Sequence, residues 1–440
     1  MTISLKIAAG PFTRHVAANR PSPTASSTNR ITTSQSGRTR AKRPGLFSRD
    51  FRQFESLPIM LRCLLYAFAV ALVLSPFQAQ GAVIYTIQAV PTLPGGTQNF
   101  ALDVNDAGQV VGNSRKNGGT TLHPYLWTSG DSIPVEIGIL PGVPTFGRGF
   151  AVNDSGVVVG ESGNGPSKPF RYENGTLTDL GSLPGGAGGV ANDINTKGRA
   201  VGAASNGQSV RAFFTDGGGS LSDLGTPLGT NNSVARAYAI NEAGTIAGGA
   251  RNATDTASEP TLWKFDAVGK PVATTVASPL PGAFGEFLGL NDTGLAVGRY
   301  TNASNRTRAF AYDGNTSFDL GLLVDEPTFV HARAIDVNDA GLIVGYAARF
   351  DTAPSFGGAA VLWKNGFIYD LNDLIDPTSG WRLYSAEGIN ERGQIVGFGS
   401  FGGQSRAFLL TAVPEPTSVA LLISGLVRIA AVATRSRSRV

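Results

Sequence analysis

Carboxylates carry most of the chemical scope of this chain, and they recur at fixed places. Asp103, Asp193 and Asp336 each stand two residues before an asparagine, and Asp106, Asp154, Asp292 and Asp339 each directly follow one. Two carboxylates brought together could act as general acid and general base. Several converging oxygens could instead hold a calcium ion. The second group is not constant: Thr196, Glu242 and Glu391 occupy its place in other copies. One variable side chain per turn does not supply a calcium site, so no metal site and no cofactor are expected. For Asp103, Asp193 and Asp336 two readings are open. They could point into a shared funnel where acids from distant repeats meet, or each could hydrogen-bond in place, which is the simpler reading. Apart from His15, the histidines are His123 and His331. They fall in different repeats, and neither has ligand spacing to a second histidine. Metalloprotease and phosphate-loop motifs are absent. "LPGGAGGVAN" (Leu183–Asn192) lacks the strand–helix context of a dinucleotide site and reads as a loop. The chain is therefore expected not to be an enzyme.

The elements that would position these acids come from internal repetition. The skeleton Asn-x-x-Gly-x-x-x-Gly starts at Asn105, Asn153, Asn195, Asn241, Asn291, Asn338 and Asn390, at intervals of 48, 42, 46, 50, 47 and 52 residues. A second phrase follows each copy, as in "KPFRY" (Lys168–Tyr172), "RAFAY" (Arg308–Tyr312) and "AAVLW" (Ala359–Trp363). A third phrase closes the unit, as in "TDLGSLPGG" (Thr178–Gly186). Each unit holds four short apolar or alternating runs bounded by Gly, Asn, Asp or Pro, which is strand grammar. Alternation puts Phe310 with Tyr312, Phe170 with Tyr172, and Tyr125 with Trp127 on one face, as core between neighbouring units. Four strands in about 47 residues, seven times, predicts an all-β, seven-bladed β-propeller. "IYTIQAVPTLPGG" (Ile84–Gly96) resembles the last strand of a unit, and the final unit ends at "RAFLL" (Arg406–Leu410) without one. The N-terminal strand is expected to complete the last blade and so remove the open edges.

In this frame the Asn-x-x-Gly phrase is a hairpin turn. Asn and Asp favour side-chain-bonded turns, the first Gly takes the left-handed conformation, and the second allows close backbone approach. In a four-stranded meander the first and third connections share one face of the disc. The second connections lie on the other, and there the copies differ: "ARNATDTASE" (Ala250–Glu259), "RYTNASNRT" (Arg299–Thr307) and "YAARFDTAPSFGGA" (Tyr346–Ala359). Variable loops on a rigid scaffold are where binding usually resides. Tyr300, Arg306, Tyr346, Arg349, Phe350 and Phe356 are the candidate ligand-face residues.

The two ends differ from the repeats. Residues 1–59 hold ten Lys and Arg against two acids and read as disordered. "MLRCLLYAFAVALVLSPFQAQGA" (60–82) has the layout of a secretory signal peptide. Because such signals begin at the N-terminus, translation is expected to start at Met60, with residues 1–59 an artefact of gene calling. Cys63, the sole cysteine, lies inside this segment. The other end, "VPEPTSVALLISGLVRIAAVATRSRSRV" (413–440), orders Pro414-Glu415-Pro416, an apolar run, and then Arg435, Arg437 and Arg439. Arg428 interrupts the run, at about 2.5–3.5 kcal/mol on insertion scales.

This three-part tail (412–440) resembles the PEP-CTERM sorting signal of Gram-negative bacteria that make exopolysaccharide. The resemblance implies recognition by an exosortase near Pro414-Glu415-Pro416, and a transmembrane intermediate retained by Arg435, Arg437 and Arg439. It also implies passage from the inner membrane to the cell surface or extracellular matrix. The repeats, with "RAF" at Arg211–Phe213, Arg308–Phe310 and Arg406–Phe408, resemble the HAF family of extracellular repeats. That likeness implies no defined ligand or reaction.

Charge agrees with export. The whole chain is +4, but residues 82–411 contain 21 Lys and Arg against 29 Asp and Glu. An acidic propeller is repelled by phosphate backbones, so nucleic acid is not an expected partner. Two functions from different classes remain. One is a cell-surface or matrix propeller (83–411) that binds exopolysaccharide or another surface protein. The other is a secreted glycan-active hydrolase or lyase with its site in the funnel. The lack of a distinctive acid pair favours the first.

Overall fold

The computed structural model describes residues 85–413, apart from 117–118, 143–145, 164, 218, 228–232, 252–256, 282, 324–327 and 350–357. The basic segment, the signal-like stretch and the sorting-type tail from Pro414 onward lie outside the described residues. The chain divides into the units Met1–Gln80 and Gly81–Val440, and the described residues all belong to the second.

Seven antiparallel sheets of four strands form seven blades, as the repeat predicts. Their first strands are Gly96–Val104, Gly147–Val152, Gly189–Ile194, Ala235–Ile240, Gly285–Leu290, His331–Val337 and Trp381–Ile389. Each packs against the first strand of the next blade, and the last packs against Gly96–Val104, so the ring closes. Blade 7 is completed by Tyr85–Ala89, which pairs with Gln404–Ala412 in a register running from Tyr85↔Ala412 to Ala89↔Phe408. Among the described residues the helical content is one 3-10 turn, Leu371–Leu374, whose capping Asp370 accepts a hydrogen bond from the Asn372 amide at 2.8 Å.

The aromatic stripe of the third strands is core. Tyr125, Phe170, Phe213, Phe310 and Phe408 are fully buried, each stabilising the fold by roughly 2–3 kcal/mol. The clusters cross blade boundaries. Tyr125 and Trp127 of blade 1 pack with Val396, Ala407 and Leu409 of blade 7. Ala151 and Val159 of blade 2 pack with Ile194 and Phe213 of blade 3. On the rim, the first residue of the "RAF" phrase ties the third strand to the outer one. Arg211 pairs with Asp223 at 2.9 Å, Arg308 with Asp319 at 2.8 Å and Lys168 with Asp179 at 2.7 Å.

Both glycines of the repeated phrase have the expected roles. The first, as at Gly108 (φ 77°) and Gly341 (φ 72°), is left-handed. The second sits where any side chain would collide with the first strand. A Cβ on Gly112 would overlap the carbonyl oxygen of Phe100, and one on Gly345 that of Arg333.

Candidate functional site

The cause of that collision is a β-bulge repeated in every blade. The pairing of first and second strands shifts between Ala101 and Asp103, Gly149 and Ala151, Ala191 and Asp193, Ala237 and Ala239, Phe287 and Gly289, Ala334 and Asp336, and Ala386 and Gly388. A bulge adds one unpaired residue and re-aims the strand. Here it turns two consecutive residues of each first strand toward the propeller axis. The bulged residues are Leu102, Phe150, Asn192, Tyr238, Leu288, Ile335 and Glu387, and all seven line one central cavity of about 770 Å³. The residues after them supply its floor: Asp103, Ala151, Asp193, Ala239, Gly289 and Asp336. Phe100, Phe398, Arg148, Arg333 and Tyr346 also line it.

The three floor aspartates both face this funnel and hydrogen-bond in place, which unites the two readings of the sequence. Asp103 accepts from the amide of Val104 at 2.7 Å and from that of Val152, in the next blade, at 2.9 Å. Asp193 accepts from Ile194 and Ile240, both at 2.7 Å. Asp336 accepts from Val337 and Ile389, both at 2.8 Å. Each carboxylate therefore staples one blade to the next. Where it does so, the next blade has Ala151, Ala239 or Gly388 at the matching place, leaving room. Burial raises all three, Asp103 to about 6, Asp193 to about 7 and Asp336 to about 8, and repulsion from Asp103 adds to the rise of Asp193 and Asp336. Glu387, which also lines the funnel, is raised by burial and accepts a hydrogen bond from the Ser385 hydroxyl.

At the other end of the axis the Asn-x-x-Gly turns form two concentric rings. The inner ring is closed. Asn105 Nδ2 donates to the carbonyl of Asn153 at 2.8 Å, Asn153 to Asn195 at 2.9 Å, Asn195 to Asn241 at 3.2 Å and Asn241 to Asn291 at 3.1 Å. Asn291 donates to Asn338 at 2.9 Å, Asn338 to Asn390 at 3.0 Å and Asn390 back to Asn105 at 2.9 Å. Each Oδ1 accepts an amide of its own turn, as Asn338 does from Leu342 at 3.0 Å. The outer ring consists of acids that accept the amide of the preceding blade. Asp154 accepts from Asp106 at 2.9 Å, Glu242 from Thr196 at 2.7 Å and Asp292 from Glu242 at 2.7 Å. Asp339 accepts from Asp292 at 2.8 Å, Glu391 from Asp339 at 2.9 Å and Asp106 from Glu391 at 2.9 Å. Thr196, which has no carboxylate, leaves a gap. The Asn-Asp pair is thus an inter-blade clamp as well as a turn. Among the described residues no group of three or more His, Cys, Asp or Glu is placed to hold a metal ion.

Among the described residues, the candidate ligand-face side chains Tyr300 and Tyr346 do not share a site. Tyr300 is a buried second-strand residue whose hydroxyl donates to Asp319 at 2.6 Å. It is part of the blade, which corrects its reading as a loop side chain. Tyr346 is also buried, but it borders the funnel, with the Arg333 guanidinium 5.7 Å from its ring centroid. Arg306 and Arg349 are exposed. Phe350, Phe356, Pro414, Glu415, Pro416, Arg435, Arg437 and Arg439 lie outside the described residues. His123 pairs with Glu136 at 3.0 Å, and His331 Nδ1 accepts the Thr307 amide at 3.2 Å.

No protein-family profile and no curated protein matches the sequence. Among solved structures, the chain is similar to an oligogalacturonate lyase from Vibrio parahaemolyticus (TM-score 0.46, 12% identity, 76% of this chain and 98% of that one). It is similar to YCF48 bound to D1 peptide (TM-score 0.43, 14% identity, 75% and 97%). It is also similar to a puromycin-hydrolyzing peptidase of Mycobacterium tuberculosis (TM-score 0.41, 14% identity, 73% and 57%). At these identities the likeness says nothing about activity. Among the described residues no helix is long and apolar enough to cross a membrane.

Sequence reasoning missed the bulged residues. They share no residue type, and strict alternation would send Leu102 and Asp103 to opposite faces. The signal available was the second glycine of each phrase, which marks where the first strand's backbone bows outward.

Proposed function

We propose that this chain is an exported propeller that acts by binding, at the cell surface or in the exopolysaccharide matrix, and reaches the exterior through its PEP-CTERM-like tail. The observation that carries the binding reading is the state of the funnel acids. Asp103, Asp193 and Asp336 are the side chains best placed for carboxylate chemistry, and each is held by two backbone amides from adjacent blades. A carboxylate so fixed makes a rigid floor. Phe100, Phe150, Tyr238 and Phe398 give the funnel aromatic walls, and a cavity of this size and lining suits a ligand. The partners in this reading are an exosortase during sorting, then exopolysaccharide or another surface protein. The tail holds the chain in the membrane only transiently.

The test is to recover the native protein from cells and medium and read both termini by mass spectrometry. A start near Ala82 and an end near Pro416 supports the export reading. An intact cytoplasmic chain overturns it. Co-sedimentation with the host polysaccharide, reduced by Phe150→Ala or Tyr238→Ala, tests the binding surface.

One observation favours a second reading, a glycan-active hydrolase or lyase. Asp193 and Asp336 sit in a cavity with their acidities shifted to about 7 and 8, and a carboxylic acid protonated near neutrality can serve as general acid. New reducing ends or unsaturated sugars on incubation with the host polysaccharide, lost in Asp336→Asn, would establish it.

A further inference from the structure

Three carboxylates of the central funnel have no counter-charge. Asp103, Asp193 and Asp336 each accept two backbone amides. None of them makes an ion pair with a described residue. The arginines that line the same cavity are engaged elsewhere. Arg148 donates to Glu161 at 2.6 Å. Arg333 stands 5.7 Å from the Tyr346 ring centroid, and its charge favours the ionised form of Glu387. On each aspartate one amide goes to either oxygen, so both oxygens keep a lone pair for the funnel. Asn192 adds an acceptor: its Nδ2 donates to the Ala237 carbonyl at 2.7 Å, and its Oδ1 bonds no described residue. Buried negative charge without a partner is costly, and a bound cation would offset it.

The three aspartates hold one repeat position with one pairing: Asp103↔Val111, Asp193↔Val201 and Asp336↔Val344. They therefore stand at one level around the axis, in blades 1, 3 and 6, separated by two, three and two blades. This three-sided ring of acceptors is not placed to hold a metal ion, so its cation must be larger than one atom. The lining beside it is apolar, with Leu102, Ala151, Ala239, Leu288, Leu290 and Ile335. A guanidinium carries its five N–H donors in one plane and has weakly hydrated faces that pack on apolar and aromatic surface. An ammonium is a compact, strongly hydrated point charge, and this lining would strip its water without replacing it.

We propose that the funnel binds an alkyl guanidinium, lying across the axis among Asp103, Asp193 and Asp336, with Asn192 Oδ1 as a further acceptor and the stem against Phe150 and Tyr238. The inference rests on the reading of the funnel as a binding site.

The test is calorimetric titration of the full-length protein with butylguanidinium chloride at low millimolar concentration. Butylammonium chloride and butylurea, the latter similar in shape but uncharged, are the comparison ligands. Butylguanidinium should bind and weaken with added salt, butylammonium should bind about tenfold more weakly, and butylurea should not bind. Asp193→Asn and Asp336→Asn keep the side-chain shape and should each lower affinity by about tenfold. The butylurea comparison uses the unaltered protein, so it stands even if a variant fails to fold. Acetyl-Gly-Arg-Gly-amide separates two sources of the same group. Tighter binding than butylguanidinium points to an arginine of a polypeptide, and exclusion of the peptide points to a free small molecule. Absence of butylguanidinium binding, equal binding of butylammonium or butylurea, or full affinity in both aspartate variants would each overturn the proposal. Polysaccharide co-sedimentation that Phe150→Ala reduces, with no guanidinium bound, overturns this inference and leaves the binding reading standing.

Discussion

Asn390 Nδ2 donates to the carbonyl of Asn105 at 2.9 Å, across 285 residues of sequence. This bond closes the asparagine ring at the same blade junction that the N-terminal strand closes on the rim. Asn390 also accepts the Gln394 amide at 2.9 Å, so one buried carboxamide holds its own hairpin and the neighbouring blade. Replacing it with alanine removes both bonds, together with the one Nδ2 donates to Gln394 Oε1 at 2.9 Å, and is expected to cost about 2–3 kcal/mol. Asn390→Asp keeps the acceptor but sets a carboxylate against a carbonyl oxygen, so it should be no better than alanine. Urea denaturation of the two variants checks this. An aspartate variant as stable as the parent would show that the inter-blade bond contributes nothing.

The bulge makes a second, local prediction. In Gly345→Ala the new methyl group overlaps the Arg333 carbonyl oxygen, and that carbonyl cannot retreat without pulling Ala334, Ile335 and Asp336 away from the axis. A loss of about 3 kcal/mol is expected. The same substitution at Gly138, where a Cβ meets nothing within 4 Å, carries only the cost of a positive φ and serves as the comparison. Equal destabilisation at both positions would mean that close approach is not what glycine provides at Gly345.

These two sites show where the sequence was readable. The blades, their number and the closing strand were legible because each rests on repeated local grammar: strand-length apolar runs, turn residues and a missing last strand. The aromatic stripe was legible by alternation. What the asparagine touches was not, since spacing along the chain does not say which backbone meets it in the ring. One clue was present: Asn is kept in all seven copies while the next residue varies among Asp, Glu and Thr. A turn alone would tolerate exchange at both places. The inward aspartates were half legible, because nothing in alternation announces a bulge.

The floor acids predict a pH dependence with a definite sign. Asp103, Asp193 and Asp336 hold their protons to about pH 6, 7 and 8 in the folded state but only to about pH 4 when unfolded. Between these limits the native state binds more protons, so stability must fall as pH rises. The contribution is fully present below about pH 4 and is lost by about pH 8. The melting temperature is expected to drop by on the order of 5 °C between pH 5.5 and pH 8.5, with a shallower slope in Asp336→Asn. Scanning calorimetry across that range checks it. A melting temperature that rises with pH would contradict the assignment.

The closing strand can be tested by supplying it separately. Tyr85 is buried in a cluster with Leu383, Ile395, Phe408 and Leu410. Removing the chain through Ala89 would expose that cluster and leave Gln404–Ala412 as an open edge. Such edges recruit other chains, so the shortened protein should be less stable and self-associate. A synthetic peptide of Tyr85–Val90 carries the paired residues from Tyr85↔Ala412 to Ala89↔Phe408. It also carries the Val90 amide, which donates to the Ala407 carbonyl at 3.0 Å. Added in excess, it should restore the monomer and raise the melting temperature in a concentration-dependent way. Light scattering and thermal melts report both effects. If the shortened protein stays monomeric and melts like the parent, the seventh blade does not need its fourth strand, and closure rests on the asparagine ring and the inner strands alone.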